Sequence, residues 1–139
     1  MLSKNGAKYF FLIGTAFFFT IFVGLTYDSL KQVPKQSHAE NLTPQVIRGK
    51  NLFDKSNCMG CHTILGEGAY YAPELTKVYT NKGADWIKSM LTDPEAVYPG
   101  ARKMRKYNFT EAQKDDMVAF LKWIGEIDTN GFPAKPVNQ

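Results

Sequence analysis

From Tyr9 to Tyr27 the chain reads YFFLIGTAFFFTIFVGLTY, 19 consecutive residues without a charge or a proline, bounded by Lys8 and Asp28. As a helix rising about 1.5 Å per residue, such a run covers roughly 28 Å, close to the hydrocarbon thickness of a bilayer. A buried core helix normally keeps one polar face, whereas only Thr15, Thr20 and Thr26 interrupt this one. A cleaved signal peptide fits poorly as well. Ser37-His38-Ala39 has the small residues of a cleavage site but stands ten residues past the run, and signal h-regions are shorter, about 7–15 residues. Tyr9 and Tyr27 occupy the ends, where interfacial aromatics are favoured. The run therefore predicts a transmembrane helix over 9–27. Lys4 and Lys8 put residues 1–8 on the cytoplasmic side, an inference that Lys31 and Lys35 at the other end weaken.

The net charge of +4 invites a nucleic-acid reading until it is located. Residues 1–35 carry four bases against one acid, and the rest of the chain carries 13 bases against 12 acids. The part that folds outside the membrane is almost neutral, so no nucleic-acid partner is expected. Aromatics make up 14% of the chain, too many for a disordered protein, and two cysteines are too few for a disulfide scaffold.

Residues 28–42 are polar, contain Pro34 and read as a linker. Beyond it, 43–139 forms one domain. Thr43-Pro44 supplies an N-cap and a proline at the first helical position for QVIRGKNLFDK. Asp85 to Leu91 is a second short helix, stopped by Thr92-Asp93-Pro94. A third starts at Thr110, which forms a capping-box pair with Gln113, and puts Met117, Phe120, Leu121 and Ile124 on one face. Gly49 and Phe53, one turn apart, suit a close crossing with Phe120 and Trp123. No alternating strand pattern is present. The fold class is all-α: one N-terminal transmembrane helix and a small domain that needs a staple such as a bound cofactor.

That staple is legible. Cys58-Met59-Gly60-Cys61-His62 is the C-x-x-C-H haem-attachment motif and uses both cysteines of the chain. Cys58 and Cys61 would form thioethers to the haem vinyl groups, which holds His62 beneath the iron. A thioredoxin-type thiol pair would need a βαβ context, and a zinc site would need a fourth ligand where only His38, in the linker, is left. For the sixth iron ligand, Met59 sits inside the attachment loop, and Met90 and Met117 fall at core helical spacing. Met104 stands in a loop among Arg102, Lys103, Arg105 and Lys106 and is the expected axial ligand. With His and Met filling both axial positions, a mono-haem c carries electrons rather than binding substrate. Pro73, eleven residues after His62, sits where c-type cytochromes place the carbonyl that accepts from the ligand histidine. The four cations are expected to form a docking rim for an acidic partner, a clamp for haem propionates, or a plain solvated loop.

The run CMGCHTILGEGAYYAPEL (58–75), the single anchor, the RKM loop and the closing FLKW (120–123) closely resemble the cytochrome c subunit of bacterial nitric oxide reductases, over essentially the whole chain. The resemblance implies a class I cytochrome c-like mono-haem domain on the periplasmic side of the bacterial inner membrane. It implies a large polytopic catalytic subunit as partner, a soluble donor such as a cytochrome c or cupredoxin, and no catalytic residue in this chain. It further implies that carbonyls at Gly68 and Tyr70 help hold a calcium ion shared with the large subunit, a role for which hard oxygen ligands are apt. A membrane-tethered cytochrome, a mono-haem subunit of a haem–copper oxidase and a haem c gas sensor remain as alternatives.

Overall fold

The structure, a computed structural model, describes residues 3–100 and 104–131. It divides into two compact units between residues 35 and 36. The first is helix α1, Lys4–Gln36, whose final residue belongs to the second unit. The Ser3 hydroxyl starts it by accepting from the Gly6 N–H at 3.1 Å. None of its residues is buried within the chain. Apolar side chains turned outward on every side require lipid or another protein around them. Thr20, inside the apolar stretch, donates to the Ala16 carbonyl at 2.8 Å and so leaves no hydroxyl proton unmet.

α1 runs nine residues beyond Tyr27, so 28–36 is helical where an irregular linker was expected. One turn apart, Gln32 donates to Asp28 at 2.6 Å, and the Lys31 ammonium lies 4.7 Å above the Tyr27 ring. Pro34 falls in the last turn, where its missing N–H removes one bond rather than breaking a helix interior. Residues 36–42 are not a free tether either. The Gln36 carbonyl accepts from the Asp128 N–H at 2.9 Å, and the His38 carbonyl accepts from the Trp123 indole at 3.3 Å. His38, expected to be a solvated linker residue, is half-buried and faces Glu40 at 3.3 Å.

In the second unit, α2 spans Pro44–Lys55 with the Thr43 hydroxyl accepting from the Val46 N–H. α5 spans Glu111–Glu126 behind a complete Thr110–Gln113 capping box. The two cross as the sequence predicts. Met117, Phe120, Leu121 and Ile124 are all buried, and the Phe53 and Phe120 ring centroids lie 5.3 Å apart. A Cβ on Gly49 would fall onto the Asp116 carbonyl and within 2.8 Å of the Phe120 Cβ. Glycine is what lets the backbones approach this closely. Arg48 grips Asp116 through two 2.9 Å bonds at the same crossing.

α3, Val78–Thr92, is longer than the predicted 85–91 and contains a break at Gly83, whose φ of +80° suits glycine. Asp93 then caps α4, Pro94–Val97. Ile87 and Leu91 of α3 join Val46, Phe53, Ile64 and the α5 face in the core. Lys77 reaches over to the end of α5, donating to the Gly125 and Ile127 carbonyls at 2.6 and 3.2 Å. One feature departs from an all-helical reading: a two-stranded antiparallel ribbon, β1 Thr63–Ile64 with β2 Glu67–Gly68. Its two-residue turn, Leu65-Gly66, has φ of +50° and +83°, the positive pair a type I′ hairpin demands.

Candidate functional site

α2 ends at Lys55, and Asn57, at φ +54°, reverses the chain into the single turn Cys58–Gly60. Asparagine tolerates this left-handed conformation better than most residues. The Cys58 carbonyl accepts from both the Cys61 and His62 N–H groups, at 3.1 and 2.9 Å. This folds the five-residue motif so that both thiols and the imidazole line one cavity of about 550 Å³. That volume lies within the range of ligand pockets, about 300–1,000 Å³. Both cysteines are free, Cys61 exposed and Cys58 half-buried. Burial first, and the Asp54 charge second, push the Cys58 thiol up to about 11.

The segment after the ribbon returns alongside the motif. Ala72 N–H donates to the Cys61 carbonyl at 2.8 Å and Leu75 N–H to the Thr63 carbonyl at 2.9 Å, bracketing His62 on both sides. Between those two bonds the Pro73 carbonyl meets His62 Nδ1 at 2.6 Å. With Nδ1 engaged, Nε2 is the ring nitrogen left for a metal.

The opposite end of the chain contributes the 104–109 loop. Met104 is half-buried and lines the same cavity. Tyr107 fastens this loop by donating to the Ser56 carbonyl at 3.2 Å, with its ring stacked on Phe109 at 4.9 Å. Burial raises the Tyr107 phenol above its ordinary value. Of the four cations around Met104, Arg102 and Lys103 lie outside the described residues. Lys106 pairs with Asp93 at 3.3 Å, and Arg105, on the cavity wall, lies 5.7 Å from the Tyr107 ring.

Three cavity residues escape a sequence reading. Lys82, Trp86 and Met90 recur every fourth residue on α3 and line the cavity. Helical spacing alone assigns both Met90 and Met117 to core packing, a role that only Met117 of the two performs. The signal is present in the i, i+4 spacing. An apolar stripe facing a cofactor cavity, however, has the same composition as one facing a core. Gly68 and Tyr70 sit on the ribbon and just beyond it, and Tyr70 is 85% exposed. Among the described residues no three His, Cys, Asp or Glu side chains are grouped to hold a metal ion.

The thiols, imidazole and thioether share a cavity whose remaining wall is mostly apolar, and this donor set fits a covalent haem c and not a zinc ion. No βαβ unit surrounds the cysteines among the described residues, which removes the thioredoxin-type reading. What the fold and this turn define is a c-type cytochrome, and the cytochrome c family model matches residues 46–125. The chain is 39% identical to the cytochrome c subunit of nitric oxide reductase from Stutzerimonas stutzeri, over 94% of this chain and 93% of that one. It is 35% identical to the corresponding nitric oxide reductase subunits of Halomonas halodenitrificans and Paracoccus denitrificans, each over more than nine-tenths of both chains. It belongs to the family of nitric oxide reductase cytochrome c subunits.

Proposed function

We propose that this chain is the electron-accepting subunit of a membrane-bound nitric oxide reductase. It takes single electrons from a soluble donor and hands them to a large polytopic catalytic subunit, where 2 NO + 2 e⁻ + 2 H⁺ become N₂O + H₂O. The observation that carries this reading is the cavity shared by Cys58, Cys61, His62 and Met104 in a chain with one helix long and apolar enough to cross a membrane. When bound, haem c supplies reversible one-electron chemistry at its iron. Cys58 and Cys61 tether it, His62 Nε2 and the Met104 thioether fill its two axial positions, and the Pro73 carbonyl keeps the imidazole oriented. With both axial positions occupied by protein, nothing is left for NO to bind, so the chain relays electrons and leaves the chemistry to its partner.

α1 anchors the chain in the bacterial inner membrane, with the Lys4 and Lys8 end cytoplasmic and the haem domain periplasmic. The carbonyls of Gly68 and Tyr70 contribute to a calcium site completed by the large subunit. Exposed Leu65, Tyr70 and Tyr71 form an apolar patch suited to that contact. The donor, a cytochrome c or a cupredoxin, docks at the cavity mouth, where Lys82 and Arg105 supply positive charge.

The test is a pair of methionine variants, since Met90 shares the cavity. In Met104→Ala the weak methionine–iron absorption of the oxidised protein disappears and the ferrous form binds CO, while Met90→Ala retains the wild-type spectrum. The reverse pattern transfers the ligand role to Met90, and an unchanged spectrum in both refutes methionine ligation and with it the relay. Purification without a large polytopic partner would leave a free tethered cytochrome.

A further inference from the structure

The hydrogen bond to the ligand histidine is only as firm as whatever fixes its acceptor. Pro73 has no N–H of its own to anchor it. Its carbonyl is held by the neighbouring ladder bonds from Ala72 and Leu75 and by a side-chain arrangement just downstream. There the Glu74 carboxylate accepts from the Thr76 N–H at 2.8 Å and also from the Thr76 hydroxyl. That hydroxyl in turn accepts from the Leu65 N–H at 2.7 Å. Thr76 is fully buried, and its carbonyl lies 3.3 Å from where a Cβ on Gly125 of α5 would stand, so it is pressed between the hairpin and α5. The Thr76 hydroxyl is used twice, once as donor and once as acceptor. Replacing it with an apolar group of the same shape strands the Leu65 N–H and half of the Glu74 bonding at once. Glu74 itself lines the haem cavity.

We infer that Glu74 and Thr76 are positioning residues for His62: their carboxylate–hydroxyl pair, braced on the Leu65 amide, sets the Pro73 carbonyl against Nδ1 and thereby the reduction potential of the haem. The inference rests on the reading of His62 as the iron ligand. A firm acceptor at Nδ1 makes the imidazole more electron-rich, which favours the oxidised iron, so loosening it raises the potential. Partners of ligating histidines commonly change a site's properties tenfold or more when removed.

The experiment uses the full chain, haem-loaded and in complex with its large subunit. Redox titration is followed at the c-type α-band, and solvent exchange of the His62 Nδ1 proton is followed by NMR. In Thr76→Val, a tenfold rise in the reduced-to-oxidised ratio at fixed ambient potential is expected, an upward shift of about 59 mV for one electron. Faster Nδ1 proton exchange should accompany it, and Thr76→Ser should restore both. Thr110→Ala, a cap lesion on α5, should lower stability without moving either readout. If Thr76→Val does not accumulate with haem, Glu74→Gln is read by proton exchange alone, because its lost charge moves the potential regardless. Wild-type potential and exchange in Thr76→Val, or wild-type exchange in Glu74→Gln, would reduce the pair to loop structure and overturn the inference. A wild-type chain without a c-type spectrum would instead overturn the function proposed above.

Discussion

Gly49→Ala tests the crossing that holds the domain together, because two effects of opposite sign compete there. In an exposed helix the change stabilises by about 1 kcal/mol, since alanine loses less backbone entropy than glycine. At Gly49 the new methyl meets the Asp116 backbone carbonyl and lies 2.8 Å from the Phe120 Cβ. Carbon contacts are comfortable at about 3.5–4.0 Å, so α2 and α5 have to part by roughly 0.7 Å or more. The obstacle is backbone on one side and a Cβ on the other, and neither can rotate away. Overpacking of this kind costs about 1–3 kcal/mol. Separation also loosens the Phe53–Phe120 contact and the paired Arg48–Asp116 bonds, which puts the cost at the upper end. The net is about 2 kcal/mol of destabilisation. For a domain near 100 residues that is a fall in Tm of about 8–16 °C. Thermal unfolding of the haem-loaded protein, followed by far-ultraviolet circular dichroism, measures it. A Tm equal to or above wild type would mean that α2 and α5 are not in contact at Gly49, and the packing argument would fail.

Three further outcomes follow from local features. Thr110→Ala removes the hydroxyl that accepts from Gln113 N–H and should cost about 1 kcal/mol, lowering Tm by about 4–8 °C; an unchanged Tm would show that the capping box is idle. Leu65→Asn replaces a left-handed leucine with a residue that tolerates φ of +50° and should raise Tm by relieving about 1 kcal/mol of strain, whereas a lower Tm would mean that the leucine side chain outweighs its backbone. In the haem-free Cys61→Ala chain, the Cys58 thiol at about 11 holds its proton more tightly than an unfolded thiol near 8.5, so the stability it contributes is complete below about pH 8.5 and lost as pH rises through 11. At pH 7 its thiolate fraction is about 300-fold below that of an ordinary cysteine, and alkylation at an ordinary rate while the chain stays folded would contradict this.

Helix starts were readable because their determinants are local. Thr43-Pro44 and Thr110 with Gln113 carry the signal within four residues, and both helices begin where these residues put them. The C-x-x-C-H turn is likewise contained in five residues. What stayed hidden depends on partners distant in sequence. Residues 36–42 look like a tether until the Trp123 indole and the Asp128 amide reach them from beyond α5. The early limb of α3, residues 78–82, follows a lysine without a side-chain cap and precedes a glycine break, so nothing nearby announces it. Met90 was indistinguishable from a core methionine because the cavity wall and the core are both apolar and share the α3 period. The ribbon at 63–68 is too short for an alternating pattern, and its leucine at positive φ contradicts the usual turn chemistry. Glu74 and Thr76 carry no motif at all. Their significance appears only when residues 61–63 and 72–75 are seen lying side by side.

The bracket around His62 also bears on speed. The carbonyls before and after it are both engaged, and the ring between them is tied to Pro73, so the ligand has slack in no direction. A ligand that stays put while the charge beside it changes by one leaves its neighbours little to rearrange. Where polar groups are already oriented, a charge can arrive without waiting for them to turn. The rigidity of three short backbone contacts thus suits the chain to repeated, rapid turnover of a single electron, and makes it as indifferent to the arrival of that electron as to its departure.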